Sequence, residues 1–225
     1  MKRITVLIAE DHMLVREGLR IMLNLEADFE VVGEARDGRQ AVSLALEKCP
    51  EVILMDIAMP GLNGLEATRQ VLKALPETKV IILTAHNDDA YLNSAVASGA
   101  VGFLLKQDST QDVCVAIREV HKGRTFYSSS VSRRIGRIAP HLRDRNGKIR
   151  KTSNLLTSRE MEVLQLIAEG MANKQTAAEL NISIKTVEKH RGSLMRKLDI
   201  HDTAGLTRHA IATGIIESSV QVTLL

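Results

Sequence analysis

The sequence predicts an α/β fold, a doubly wound sheet of five parallel strands, followed by a small all-α domain. Three observations carry this: five short apolar runs before residue 122, helical periodicity between successive runs, and from 154 onward a series of helices without a β-like run until the VQVTLL tail. A chain of 225 residues suits two domains, each large enough to close a core. Apolar residues make up 44% and aromatics only 2%, so Leu, Ile, Val, Ala and Met must do the packing.

The strands read as ITVLIA (4–9), EVVGE (30–34), VILM (52–55), KVIIL (79–83) and VGFLL (101–105), short apolar runs of the kind that is buried on both faces of a parallel sheet. Helical periodicity covers 12–26, 38–48, 64–75, 88–98 and 109–122, with Asp, Asn or Ser caps before several of these segments. This alternation favours the flavodoxin-like strand order. Between 123 and 153 the periodicity fails in a stretch rich in Ser, Arg, Gly and Asn, read as a linker with a short helix over 129–138. Three or four helices then follow. Thr157 and Glu160 form a capping box and Gly170 ends the first of these helices; Asn173 caps the second, Asn181-Ile182 makes a tight turn, Ser183 caps the third over 184–197, and a fourth runs from about Thr203 to Thr213. A short helix, a short turn and a longer helix predict a helix-turn-helix.

Charge divides along the same boundary. Residues 1–120 carry 12 Lys+Arg against 18 Asp+Glu, while residues 121–225 carry 18 against 9, so a basic second half accompanies an acidic first half. A polyanion, with nucleic acid foremost, is the partner this implies. Cys49 and Cys114 show neither metal-ligand spacing nor a disulfide framework. The first residues read as neither signal peptide nor membrane span, which leads us to expect a cytoplasmic protein that does not engage membranes.

In a doubly wound sheet, ligands sit beyond the carboxyl ends of the strands. Strand one there ends in Glu10-Asp11, strand three in Asp56, strand four in Thr84 and strand five in Lys106. Three converging carboxylates repel one another unless a hard cation lies between them, and Mg²⁺ suits oxygen ligands with open water positions. A carboxylate can accept a phosphoryl group when a metal neutralises the incoming oxygens and a lysine takes up the remaining charge. Pro60, Gly61 and Gly64 punctuate the loop after Asp56.

With these residues in place, IAEDH, LMDIAMPGLNG, ILTAHN and GFLLK occur in the order of a response-regulator receiver domain, which residues 1–122 resemble throughout. The resemblance implies that Asp56 is phosphorylated by a histidine kinase, that Asp11, Asp56 and the carbonyl of Ala58 ligate Mg²⁺ directly, and that Glu10 does so through water. It assigns Thr84 and Lys106 to the phosphoryl group and Ala85 to donor access. Phe103 takes the aromatic position that turns inward as Thr84 moves toward the phosphate. Gln107 stands where many receivers have proline, and His86 could influence the lifetime of the phosphoryl group.

Residues 154–225 resemble the LuxR-type helix-turn-helix domain of NarL/FixJ response regulators in LTSREMEVL, AEGMANKQTAAEL and ISIKTVEKHRGSLMRKL. On the longer helix, Ile184, Val187, Leu194 and Leu198 form the expected inward face. Outward, Glu188 and Lys189 are placed to reach base edges, and Lys185, Thr186, His190, Arg191 and Arg196 to contact phosphates. The resemblance adds Asn173 and Lys174 near the DNA backbone, a dimer contact on the fourth helix, and two-fold binding to an inverted repeat. Gly192 replaces a frequently polar residue. The expected function is transcription regulation without enzymatic turnover beyond slow self-dephosphorylation. Two other readings compete with it, an Asp56-dependent phosphohydrolase or phosphotransferase and a DNA binder indifferent to phosphorylation. The first lacks an acid at 58, and the second would require a damaged acidic pocket, whereas this one is complete.

Overall fold

The computed structural model describes residues 2–85, 89–129, 131–132 and 156–216, with backbone alone at 89–91. The chain divides into two compact units, Met1–Asn154 and Leu155–Leu225.

In the first unit the order is β1 (Ile4–Ala9), α1 (Met13–Leu25), β2 (Phe29–Ala35), α2 (Gly38–Lys48), β3 (Val52–Asp56), α3 (Gly64–Ala74), β4 (Lys79–Thr84), α4 (Asp89–Ser98), β5 (Gly102–Leu105), α5 (Thr110–His121) and β6 (Phe126–Tyr127). All pairings are parallel and the sheet order is β2-β1-β3-β4-β5-β6. The expected five strands are therefore joined by a sixth at the edge, formed by residues assigned to the linker. Phe126 and Tyr127 pair with Gly102 and Phe103. Two residues are too few to show a period of two, and only the exposed edge of β5 makes them a strand. The remainder of the linker, 133–153, and most of the expected helix over 129–138 lie outside the described residues.

Alternation along the strands builds two cores. Leu7, Ile53, Met55, Val80, Ile82 and Phe103 face one side and meet α2, α3 and α4 through Ala41, Ala45, Val71 and Leu92. Val6, Ile8, Leu54, Ile81 and Leu104 face the other and meet α1 and α5 through Leu23, Ile117 and Val120. Because both faces are covered, the central strands β1, β3 and β4 are apolar along nearly their whole length rather than at every second position, whereas β2 at the edge carries Glu30 and Glu34. Caps start the helices where expected: Asp37 accepts from the Gln40 amide, Asn63 from Glu66, and Ser109 forms a capping box with Asp112.

The second unit contains α6 (Ser158–Ala168), α7 (Asn173–Glu179), α8 (Ile184–Leu198) and α9 (Thr203–Ala212). Thr157 and Glu160 make the predicted capping box, and Gly170 follows α6 at φ 89°, a left-handed conformation that glycine adopts without strain. Val163, Leu164, Ile167, Ala177, Val187, Leu194, Leu206 and Ala210 form its core. Two local expectations are corrected. Ala172 rather than Asn173 is the N-cap of α7, because the Asn173 carboxamide is drawn to Arg191 instead. Ile184 is 45% exposed and stands outside the core, since it lies in the first turn of α8, ahead of the buried Val187 and Leu194.

Among the described residues no helix is long and apolar enough to cross a membrane.

Candidate functional site

The strand order reverses between β1 and β3, and the crevice opens beyond their carboxyl ends. Glu10 and Asp11 follow β1 directly, and Asp56 is the last residue of β3. Thr84 ends β4, and its carbonyl accepts from the Lys106 amide at 2.8 Å, which sets Lys106 beside it. Four separate strand ends thus deliver the residues singled out from the sequence.

Within this pocket Lys106 Nζ lies 2.9 Å from Glu10 Oε1 and 3.0 Å from Asp56 Oδ2. Glu10, Asp56 and Thr84 are buried. Burial, aided by the Glu10 carboxylate, pushes the Asp56 carboxyl up to about 7 despite the opposing Lys106 ammonium. For Lys106 burial acts downward, yet the charge of Asp56 and the hydrogen bond to Glu10 outweigh it and raise its pKa. Glu10 Oε2 and both Asp56 carboxylate oxygens are buried without a well-aligned hydrogen bond, and Lys106 meets Asp56 as an ion pair. Buried acceptors left in this way are costly, and a hard cation satisfies them. Glu10, Asp11, His12 and Asp56 each offer a ligand atom, all within 4.8 Å of one another.

His12 was not among the residues picked out from the sequence, although it directly follows the acidic pair. Its Nδ1 lies 2.9 Å from Asp11 Oδ1 and 3.1 Å from Glu10 Oε1, and chiefly the Asp11 charge raises its pKa. Ala58 is half-buried on the loop after Asp56 and Ala85 is exposed beyond β4. Gly64 backs the acceptor closely: a Cβ there would overlap the Asp56 carbonyl, while its amide donates to Ile57 O at 2.9 Å. Phe103 is 3% exposed and belongs to the core, so in this structure the aromatic ring already lies inward. His86 lies outside the described residues.

In the second unit, α8 presents Lys185, Glu188, Lys189 and Arg196 as exposed residues, with Thr186, His190 and Arg191 half-buried and Lys174 exposed on α7. A side chain at Gly192 would meet open space, so nothing in the packing requires glycine there. Arg191 does more than face outward. Its Nη1 donates to Asn173 Oδ1 at 3.2 Å and its Nη2 to Thr203 Oγ1 at 2.6 Å, which ties α8 to the starts of α7 and α9. On the opposite face, Glu160 accepts from Ser193 Oγ at 2.7 Å and Lys197 Nζ at 2.6 Å, anchoring α8 to α6. Burial acts to raise the Glu160 carboxyl, but the hydrogen bonds from Lys197, Ser193 and Thr157 prevail and hold it at about 2. No sequence signal linked Glu160 to residues more than thirty positions away.

Known proteins share both halves. Residues 6–118 match the response regulator receiver domain family, and residues 154–210 match the luxR family of bacterial regulatory proteins. The transcriptional regulatory protein LiaR of Bacillus subtilis (strain 168) is 42% identical over 199 residues, which cover 88% of this chain and 92% of LiaR. Among solved structures, RcsB of Salmonella enterica serovar Typhimurium bound to promoter rprA in the presence of the phosphomimetic BeF₃⁻ has a TM-score of 0.59 at 28% identity, covering 92% of this chain and 98% of RcsB. A structure of two RcsB dimers bound to two parallel DNAs has a TM-score of 0.56 at 30% identity, covering 94% and 99%.

Proposed function

The chain belongs to the family of response regulators that join a receiver domain to a LuxR-type DNA-binding domain and regulate transcription, and on that premise we propose that Asp56 is its phosphoryl acceptor. The observation that carries the reading is the buried Asp56 carboxylate, whose oxygens lack aligned donors and face Lys106 at a strand end. A histidine kinase is the donor. The phosphorus–nitrogen bond of its phosphohistidine breaks as an Asp56 oxygen bonds to phosphorus, and the freed imidazole keeps the electron pair and takes up a proton.

Asp11, Asp56 and the Ala58 carbonyl would hold Mg²⁺ directly, with Glu10 through water. When bound, Mg²⁺ neutralises phosphoryl oxygens and keeps Asp56 ionised. Lys106 leaves its ion pair to meet the phosphoryl charge, Thr84 donates its hydroxyl to a phosphoryl oxygen, and exposed Ala85 leaves the approach open. Phe103, the aromatic position that the resemblance couples to Thr84, would hold the arrangement that phosphorylation favours. No second acid stands at position 58, which supports at most slow self-dephosphorylation rather than turnover of phosphate esters.

Residues 154–225 bind double-stranded DNA. Glu188 and Lys189 read bases in the major groove, while Asn173, Lys174, Lys185, Thr186, His190, Arg191 and Arg196 position the backbone. Two copies bind an inverted repeat as a homodimer, a reading supported by the RcsB dimers on DNA. The protein acts in the cytoplasm.

The test is DNA affinity of wild type and Asp56→Asn, with Mg²⁺ and with or without acetyl phosphate, against an inverted-repeat library, alongside mass spectrometry for an acyl phosphate. Donor-dependent modification and tightening in wild type alone is expected. Modification of Asp56→Asn at another residue, or equal DNA binding in all samples, would overturn the proposal.

A further inference from the structure

Arg16, in the first turn of α1, is only 5% exposed, and nothing in the phosphoacceptor mechanism uses it. Its side chain captures two successive backbone carbonyls, and its amide makes the first helical bond to a third. Its Nη1 donates to Glu10 O at 2.7 Å and to Asp11 O at 3.2 Å, and its own amide donates to His12 O at 3.0 Å. These belong to the tripeptide that carries one side of the acidic pocket. Behind it, Arg16 Nε lies 3.6 Å from Glu34 Oε2, and Glu34 Oε1 lies 3.3 Å from Arg20 Nε, so a carboxylate on β2 backs the guanidinium.

The physical consequence follows from peptide planarity. Fixing the carbonyls of Glu10 and Asp11 fixes the two peptide planes that flank the Asp11 Cα, and with them the direction in which its carboxylate leaves the chain. The loop needs such restraint, because Glu10, Asp11 and Asp56 converge and repel one another. A guanidinium is well suited to provide it, since it stays charged and offers planar donors in a fixed fork. It also places positive charge beneath the backbone, on a side chain distinct from Lys106, which lies inside the pocket.

We infer that Arg16 is a positioning residue for the cation pocket: it holds the Glu10–Asp11 backbone so that the carboxylates are set for Mg²⁺ before the ion arrives. Arg16 touches neither ion nor phosphoryl group, and it acts through the ligands. This rests on the proposed phosphoacceptor site and adds to it a residue that no strand-end or motif signal marks. The outer partners of metal ligands characteristically set affinity in this way.

The test uses the full chain and calorimetric titration with Mg²⁺ alone. Arg16→Met should weaken Mg²⁺ binding about 10–100-fold, the range for loss of an outer partner, and should shift the carbonyl ¹³C resonances of Glu10 and Asp11 in the ion-free protein. Arg16→Lys keeps the charge without the fork and should recover only part of the affinity. Arg20→Met, which removes the other cation on Glu34, should stay within about twofold of wild type. With acetyl phosphate, the Arg16→Met defect should appear as a raised Mg²⁺ requirement, with the rate largely regained at saturating Mg²⁺. Folded Arg16→Met with wild-type Mg²⁺ affinity would overturn the inference. Should Arg16→Met fail to fold, Arg16→Lys decides: full wild-type affinity there overturns it, and a loss with native circular dichroism sustains it. Wild type that binds no Mg²⁺ overturns both inference and site. Wild type whose Mg²⁺ affinity depends on Arg16 as expected, yet which is never modified at Asp56, overturns the phosphoacceptor reading alone.

Discussion

Replacing Glu160 by glutamine tests whether α8 is held by a charge that sequence inspection sees only as a helix cap. Its carboxylate is 4% exposed and accepts from the Thr157 amide at 2.7 Å, Thr157 Oγ1 at 3.1 Å, Ser193 Oγ at 2.7 Å and Lys197 Nζ at 2.6 Å. With the folded carboxyl held at about 2 against an ordinary 4.5, the ionised form contributes roughly 3 kcal/mol to folding at neutral pH. Glutamine keeps the shape and some of the hydrogen bonds but loses the charge that Lys197 requires, so about 2 kcal/mol of the second unit's stability should go. For a unit of this size that is a fall in Tm of roughly 10 °C. The pH dependence fixes the sign. A depressed carboxyl stabilises fully above its unfolded pKa and loses that contribution as pH falls through the folded one. Wild type should therefore lose stability between about pH 5 and pH 2, and Glu160→Gln should lack this component. Both tyrosines and all three phenylalanines lie in the first unit, so aromatic signals are blind to this change. Far-UV circular dichroism and amide hydrogen exchange of α6 and α8 are the measurements that report it. A Glu160→Gln variant within about 0.5 kcal/mol of wild type at neutral pH, with an unchanged acid profile, would refute the anchoring role.

Other expectations follow from the same geometry. Gly64→Ala would drive a methyl group into the Asp56 carbonyl, and a cost of about 1–3 kcal/mol with slowed phosphorylation is expected, read by chemical unfolding and by mass spectrometry. In Mg²⁺-free buffer the raised Asp56 carboxyl makes the folded first unit bind the extra proton, so its stability should fall as pH rises from about 4 to about 7. Asp56→Asn should flatten that slope, and an unchanged slope would remove Asp56 as its source. Leu206→Ala, at a fully buried position of α9, should cost about 2–5 kcal/mol in the second unit, measured by loss of helical circular dichroism. Lys185→Ala on the exposed face of α8 should lower DNA affinity for all sequences alike and reduce the salt slope by about 0.9, whereas Lys189→Ala should change the sequence preference as well.

The acidic pocket was legible because the fold places the ends of parallel strands side by side, and the sequence marks those ends unambiguously. An apolar run followed by Glu10-Asp11, Asp56, Thr84 or Lys106 is a local signal, and once the strands are recognised their convergence needs no further information. Helix starts were legible for the same reason: Asp37, Asn63, Ser109, Thr157 and Ser183 each bond an amide three residues on. Asn173 shows the limit of such reasoning. It has the chemistry of a cap, but Arg191, eighteen residues away, takes its carboxamide.

By itself, then, the sequence determined the alternation of strands and helices, the two-part organisation and the residues at the pocket, since all of these rest on periodicity and on contacts within a few positions. Tertiary structure alone decided that Phe126 and Tyr127 extend the sheet, that Ile184 faces out, that Glu160 holds Ser193 and Lys197, and that Arg16 turns back onto Glu10 and Asp11. The physical reason is common to the long-range cases among them. A long polar side chain or a two-residue strand satisfies its hydrogen bonds with whatever the fold brings near, and a partner distant in sequence leaves no periodic trace along the chain.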